Sequence, residues 1–140
     1  MQYYAEEYFK SGIQSFRDNQ FKEAIVLFEK AEQSAKDVKY PDASFNKGVA
    51  LCELGRHEEA ITAYEKAELD SAEGEYPDAS FNRGNSLHSL GRLEEAIVAY
   101  EKAELDSADG QYPEASFNKG FALSQLGKDE EAVIAYEKAE

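Results

Sequence analysis

The chain has 140 residues, with 29 acidic against 15 basic side chains and a formal net charge of −14. Nucleic acid and anionic membrane surfaces bind clusters of lysine and arginine, so this charge disfavours both as partners. The single cysteine, Cys52, cannot form an internal disulfide, which fits a reducing compartment. The sequence shows neither a signal-peptide pattern nor an apolar run near the ~20 residues of a membrane span, so we expect a cytoplasmic protein.

One segment recurs along the chain at a fixed spacing. Residues 40–48 read Tyr-Pro-Asp-Ala-Ser-Phe-Asn-Lys-Gly, and closely similar segments follow with a period of 36 residues. Such a period is typical of stacked repeats, each touching only its neighbours. We predict repeats at 5–40, 41–76 and 77–112, and a shortened fourth repeat at 113–140 without a C-terminal capping helix.

Each repeat predicts two helices. Proline suits a first helical turn because its missing N–H would have no partner there, so we expect first helices to begin at Pro41, Pro77 and Pro113. They should run to Leu54, Leu90 and Leu126, before residues that tolerate a left-handed backbone: Asn19, Gly55, Gly91 and Gly127. The second helices should begin near His57, Leu93 and Asp129, each with one apolar stripe.

Small and aromatic residues recur at fixed places in every repeat. In the second repeat they are Gly48, Leu51, Gly55, Ala60, Tyr64 and Ala67. This pattern resembles the tetratricopeptide repeat family over essentially the whole chain. The resemblance implies an all-α fold, a right-handed α-solenoid of stacked antiparallel helix-turn-helix repeats. Gly48 and Ala60 would let the two helices of a repeat approach, and Tyr64 and Ala67 would meet the first helix of the next repeat.

Three positions depart from the family pattern. Ser44 replaces an aromatic residue, and Lys47 and Glu68 replace apolar ones. We hypothesise that each such glutamate pairs with the base of the following repeat, giving Glu32–Lys47, Glu68–Arg83 and Glu104–Lys119. The alternative is that both side chains are solvated and only their aliphatic stems pack.

The resemblance also implies that the first helices line a concave groove for extended peptides or partner helices. One row of groove positions is Asn46, Asn82 and Asn118, whose amides could pair with any peptide backbone, as in the asparagine ladder of peptide-binding repeat proteins. Local hydrogen bonding is the alternative for this row. A second row is Phe45, Phe81 and Phe117, which we interpret as core in preference to groove floor.

A third group of groove positions differs between otherwise similar repeats, and would set specificity. It comprises Val49, Asn85 and Phe121, then Cys52, His88 and Ser124, and finally Glu53, Ser89 and Gln125. Chaperone-adaptor repeats clamp a C-terminal carboxylate with cations, but Phe9 and Phe45 stand where the lysine is needed. The sequence therefore argues against that ligand class.

The predicted function is a protein-interaction scaffold that binds a protein or peptide. We expect no enzyme activity, because the sequence assembles no nucleophile with a base and oxyanion donors. Clustered metal ligands are also missing from the pattern, so neither a metal ion nor a cofactor is predicted. The alternative is a structural module or designed array that stacks end to end, as a homo-oligomer, through the C-terminal surface around Tyr136 and Ala139.

Overall fold

A computed structural model of the chain describes residues 2–35 and 39–140. Within these residues it contains helices and no strand, which confirms the predicted all-α class. The helices are α1 Gln2–Arg17, α2 Phe21–Ser34, α3 Pro41–Glu53, α4 His57–Asp70, α5 Pro77–Ser89, α6 Leu93–Asp106, α7 Pro113–Gln125 and α8 Asp129–Ala139. Residues 36–38, inside the predicted first repeat, lie outside the described residues, and the repeat boundaries stay a prediction.

The contacts divide the chain into two units, Met1–Gly74 and Glu75–Glu140. The first unit contains α1 to α4, and the second contains α5 to α8. In each unit consecutive helices form two hairpins, and the second helix of one hairpin packs against the first helix of the next. This is the local arrangement expected of helical repeats, in which neighbours bury each other's apolar stripes.

The helix boundaries follow the predicted signals closely. The prolines begin α3, α5 and α7, and the second helices begin at His57, Leu93 and Asp129. The first helices end one residue earlier than predicted, because Leu54 and its equivalents are C-cap residues whose ψ angles near 0° depart from helical geometry, although their N–H groups still bond within the helix. Gly55 then adopts a φ of 73°, and Asn19 adopts 60° in the first hairpin. Both values lie in the left-handed region that glycine and asparagine tolerate best.

An aromatic ring fills the space above the glycine of each first helix. A Cβ atom on Gly84 would lie 2.5 Å from the Tyr100 ring, and a Cβ atom on Gly48 would lie equally close to Tyr64. The Tyr64 ring thus packs on its own hairpin, and its predicted contact with the next hairpin, which belongs to the other unit, stays a prediction. Glycine is required there because any side chain would occupy the space of the ring.

A buried carboxylate joins the two hairpins of the second unit. Glu104, near the end of α6, is 4% exposed and accepts a hydrogen bond from the hydroxyl of Ser116 on α7. The Nζ atom of Lys119 lies 3.7 Å from a carboxylate oxygen of Glu104, and that of Lys138 lies 3.4 Å from one. A buried charge is costly without such partners, so these groups favour one arrangement of α6, α7 and α8.

The first unit repeats this cluster. Ser44 donates a 2.5 Å hydrogen bond to Glu32, and the Nζ atoms of Lys47 and Lys66 lie 3.7 and 3.6 Å from the Glu32 carboxylate. Burial by itself would lower the pKa of Lys66, but its bonds with Asp70 and Glu32 outweigh burial and raise it.

These contacts confirm two of the predicted pairs, Glu32–Lys47 and Glu104–Lys119, so the solvated alternative is wrong for them. Each lysine lies closer still to a second acid one helical turn earlier, at 3.1 Å from Glu29 or Glu101. The third predicted pair, Glu68–Arg83, has one residue in each unit and stays a prediction.

Candidate functional site

The first helices of the second unit share a hydrogen-bonded group of polar side chains. The Tyr100 hydroxyl donates to Asn85 Oδ1 at 2.7 Å, and Asn118 Nδ2 donates to the same oxygen at 2.9 Å. Asn85 lies on α5 and Asn118 on α7, so the contact joins two of the predicted groove positions. Burial raises the pKa of Tyr100 to about 12, although the bond with Asn118 opposes that rise.

A second contact between the same two helices lies one helical turn further on. His88 Nε2 is 2.5 Å from Gln125 Oε1, and the His88 and Phe121 rings have centroids 5.5 Å apart. Phe121 remains 49% exposed. We call the surface formed by Asn82, Asn85, His88, Asn118, Phe121 and Gln125 the α5/α7 face. It presents amide, imidazole and aromatic groups side by side.

The equivalent positions of the first unit are arranged differently. Asn46 Nδ2 donates to the carbonyl oxygen of Asp42, one turn back in its own helix, at 2.8 Å. The residue equivalent to Asn85 on the hairpin before Asn46 is Ile13, whose side chain offers no acceptor. Asn46 therefore bonds within its own helix, whereas Asn118 bonds Asn85. On the same helix Cys52 Sγ lies 3.4 Å from the Tyr64 hydroxyl. The predicted asparagine row therefore has two kinds of bond, one local and one between hairpins.

The other predicted groove residues divide by exposure. The Phe45 and Phe81 rings pack on Tyr64 and Tyr100, with centroids 5.9 and 6.0 Å apart, and both are partly buried. Phe117 packs on Tyr136 but is 56% exposed. Val49 and Asn82 are partly buried, and Ser124 is exposed.

Two of the tyrosines that directly precede a helix-starting proline, Tyr40 and Tyr112, have a role that the sequence analysis did not predict. The Tyr112 ring stacks on Phe81 with centroids 5.1 Å apart, and its hydroxyl donates to Asp78 Oδ1 at 2.6 Å. Burial, followed by the bond to Asp78, raises the pKa of Tyr112. In the first unit Tyr40 stacks on Phe9 in the same way. The recurrence of tyrosine directly before proline is the sequence pattern that could have indicated this role.

Other parts of the described chain show fewer features of a binding site. A cavity of about 280 Å³ opens between α2, α3 and α4, but its polar walls are side chains already paired with one another, including Lys47 with Glu29 and Arg56 with Glu59. Among residues 2–35 and 39–140, no group of three His, Cys, Asp or Glu side chains is placed to hold a metal ion. No described helix combines the length and apolar character needed to cross a membrane.

Solved structures with the same fold are numerous. The crystal structure of MamA superposes with a TM-score of 0.85 at 26% identity, covering 96% of this chain and 75% of that one. YrrB, described as a TPR protein with an unusual peptide-binding site, gives 0.79 at 24% identity, covering 96% of this chain and 66% of that one. The first TPR of Spaghetti (RPAP3), bound to the HSP90 peptide SRMEEVD, gives 0.79 at 22% identity, with coverage of 91% and 96%.

Comparison with curated protein sequences gives no match. A family model described as tetratricopeptide repeat matches residues 12–75 and 67–113, and a second such model matches residues 113–140. These matches cover most of the chain, and the helical hairpins, the glycine beneath each aromatic ring and the solved neighbours all agree with them. The chain therefore belongs to the tetratricopeptide repeat family and has its α-solenoid fold.

Proposed function

We propose that this protein is an interaction scaffold whose α5/α7 face binds an extended peptide segment of a partner protein. The observation that carries the proposal is the bond between Asn85 and Asn118, which fixes two side-chain amides from neighbouring hairpins next to each other. Fixed polar groups on a partly exposed surface favour binding, because little side-chain entropy is lost when a ligand arrives.

The hydrogen-bond capacity of these amides suits a peptide backbone. The two lone pairs of Asn85 Oδ1 are used by Tyr100 and Asn118. The N–H groups of Asn85 and the carbonyl oxygen of Asn118 are not used in these bonds, so one offers donors and the other an acceptor. A peptide group presents one C=O and one N–H, and can satisfy both without any requirement on its side chains.

Specificity would come from the neighbouring His88, Phe121 and Gln125. An exposed aromatic ring beside an imidazole suits an apolar or aromatic side chain of the ligand, since stacked rings stabilise by about 0.5–1.5 kcal/mol beyond their burial. The net charge of −14 favours peptides that are neutral or basic. The acidic peptide bound by the Spaghetti repeat is a different class, because Phe9 and Phe45 replace the cations that a carboxylate clamp needs.

Two of the solved neighbours support a peptide ligand in general terms, since both are described with peptide sites. The identity with each is below 25%, so what they share with this chain is the fold.

The test begins with selection of peptides from a phage-displayed library on the full chain. The affinity of a selected synthetic peptide is then measured by titration calorimetry. Asn118→Ala and Asn85→Ala should each weaken binding about tenfold, because each loses a hydrogen bond of roughly 1–1.5 kcal/mol. Val98→Ala, on the exposed surface of α6, is the matched control and should bind as the parent does. Unchanged binding by both asparagine variants would exclude this face as the site.

A further inference from the structure

One outward-facing position carries a β-branched side chain in the second helix of every described hairpin. The residues recur at intervals of 36 and are Val26 on α2, Thr62 on α4, Val98 on α6 and Ile134 on α8. All four are exposed, Val98 and Ile134 by 62% and 66%. A β-branched side chain lowers helix propensity, and at an exposed position no packing within the protein offsets that loss. Contact with another molecule would supply the packing.

In the second unit the surface around this position is apolar over a wider area. Leu105 is 81% exposed and follows Val98 by seven residues, close to two helical turns, so both side chains lie on one side of α6. Helix α8 runs beside α6, since Lys138 Nζ lies 3.4 Å from a carboxylate oxygen of Glu104. Ile134 therefore extends the exposed apolar surface from α6 onto α8.

Acidic side chains border these apolar residues. Glu94 lies one helical turn before Val98, and Glu130 and Glu137 lie one turn before and one turn after Ile134. The three carboxylates are exposed and form no ion pair within the described part of the chain, so their charges are available to a partner. We call this surface the outer face, and it consists of Glu94, Val98, Leu105, Glu130, Ile134 and Glu137.

We propose that the outer face binds a basic amphipathic helix of a partner protein, with apolar residues seven positions apart and lysine or arginine beside them. Two helices in contact match apolar side chains at intervals of seven residues, which is the spacing of Val98 and Leu105. Charge complementarity to the three glutamates selects a basic helix. The outer face shares no residue with the α5/α7 face, so this inference is independent of peptide binding there.

Other occupants of the outer face are disfavoured by the same charges. A second copy of this chain, docked through its own outer face, would bring three further glutamates against the first three. An anionic lipid surface would be repelled, because the exposed apolar residues are bordered by acids and not by bases. A basic helix is the occupant that satisfies the apolar residues and the carboxylates together.

The test uses a labelled synthetic helical peptide of three heptads, with leucine at the apolar positions and lysine beside them. It is titrated with the full chain and followed by fluorescence anisotropy. A matched peptide with glutamate in place of lysine should bind at least about tenfold more weakly. Joint replacement Val98→Ser and Leu105→Ser should weaken binding of the lysine peptide at least about tenfold. Phe121→Ala, exposed on the α5/α7 face, is the control and should bind as the parent does.

Charge reversal separates the outer face from general attraction to an acidic protein. Joint replacement Glu94→Lys, Glu130→Lys and Glu137→Lys should remove the preference for the lysine peptide, although the chain as a whole stays acidic. Circular dichroism checks that each variant keeps the helix content of the parent.

Three results would overturn the proposal. They are no binding of the lysine peptide to the parent chain, equal binding to the parent and the serine variant, and a preference that charge reversal leaves unchanged. Displacement of the lysine peptide by a peptide selected on the α5/α7 face would also overturn it, and would leave the proposed function standing.

Discussion

The Ser116 hydroxyl donates a hydrogen bond to the buried carboxylate of Glu104, across the contact between two successive hairpins. Both residues stand where the family pattern has an aromatic or apolar side chain. A specific polar contact therefore takes the place of apolar packing here. The buried Glu104 carboxylate also needs Lys119 and Lys138 as partners for its charge. Because a partly satisfied buried network is worse than an apolar core, removal of any member should be costly.

Removal of the hydroxyl should destabilise the fold. Ser116→Ala deprives the Glu104 carboxylate of one donor, and the free energy of unfolding should fall by about 1–3 kcal/mol. Urea denaturation followed by circular dichroism measures the change. Ser124→Ala, exposed on the same helix, is the control and should change stability by less than about 0.5 kcal/mol. Equal effects of the two substitutions would argue against a structural hydroxyl.

The Glu104–Lys119 pair should show measurable coupling. In a double-mutant cycle with Glu104→Gln and Lys119→Met, the coupling energy should lie between about 0.5 and 3 kcal/mol. The exposed pair Arg92–Glu95 is the comparison, and should couple more weakly because solvent screens both charges. Added salt should screen the exposed pair more than the buried one. A coupling near zero for Glu104–Lys119 would mean that the lysine is effectively solvated.

Addition of one methyl group beneath an aromatic ring should also be harmful. In Gly84→Ala the new Cβ would lie 2.5 Å from the buried Tyr100 ring, and the clash should cost about 1–3 kcal/mol even though alanine favours helix by about 1 kcal/mol. The measurement is the same urea titration. Ser89 is exposed at the end of α5, so Ser89→Ala tests the gain in helix propensity alone. This control should not lower the free energy of unfolding. A stabilised Gly84→Ala variant would show that the ring can move aside.

Alkaline pH should weaken the fold through Tyr100. Burial raises its pKa from 10.0 to about 12, so the unfolded chain loses this proton first. The stabilising contribution is complete below pH 10 and declines as the pH rises from 10 toward 12. Unfolding free energies measured across this range should fall less steeply for Tyr100→Phe than for the parent. Parallel pH profiles of the two proteins would refute the assignment to Tyr100.

The helices and the charged pairs could be predicted from sequence because their signals are local or repeated. Proline followed by an acid marks the starts of α3, α5 and α7, and a glutamate and a lysine that together replace apolar residues indicate a pair. The bonds of Ser44 and Ser116 to glutamate were not predicted, because the sequence shows only that a small residue replaces an aromatic one at these positions. Their role depends on a carboxylate on the preceding hairpin.

The bonds of the asparagines could not be predicted from their row alone. Asn46 and Asn118 occupy equivalent positions, yet one bonds its own helix and the other bonds Asn85. The difference lies in the neighbouring hairpin, which offers Ile13 in one case and Asn85 in the other. Similarly, the bond from Tyr112 to Asp78 joins the two ends of one predicted repeat, and neither residue alone indicates it.

The most direct test of the proposed site is a titration of the isotope-labelled full chain with the selected peptide, followed by NMR. If the α5/α7 face is the site, the largest shifts should occur at the side-chain amides of Asn85 and Asn118 and at the His88 ring. Shifts concentrated on α6 and α8, with these three side chains unchanged, would contradict it.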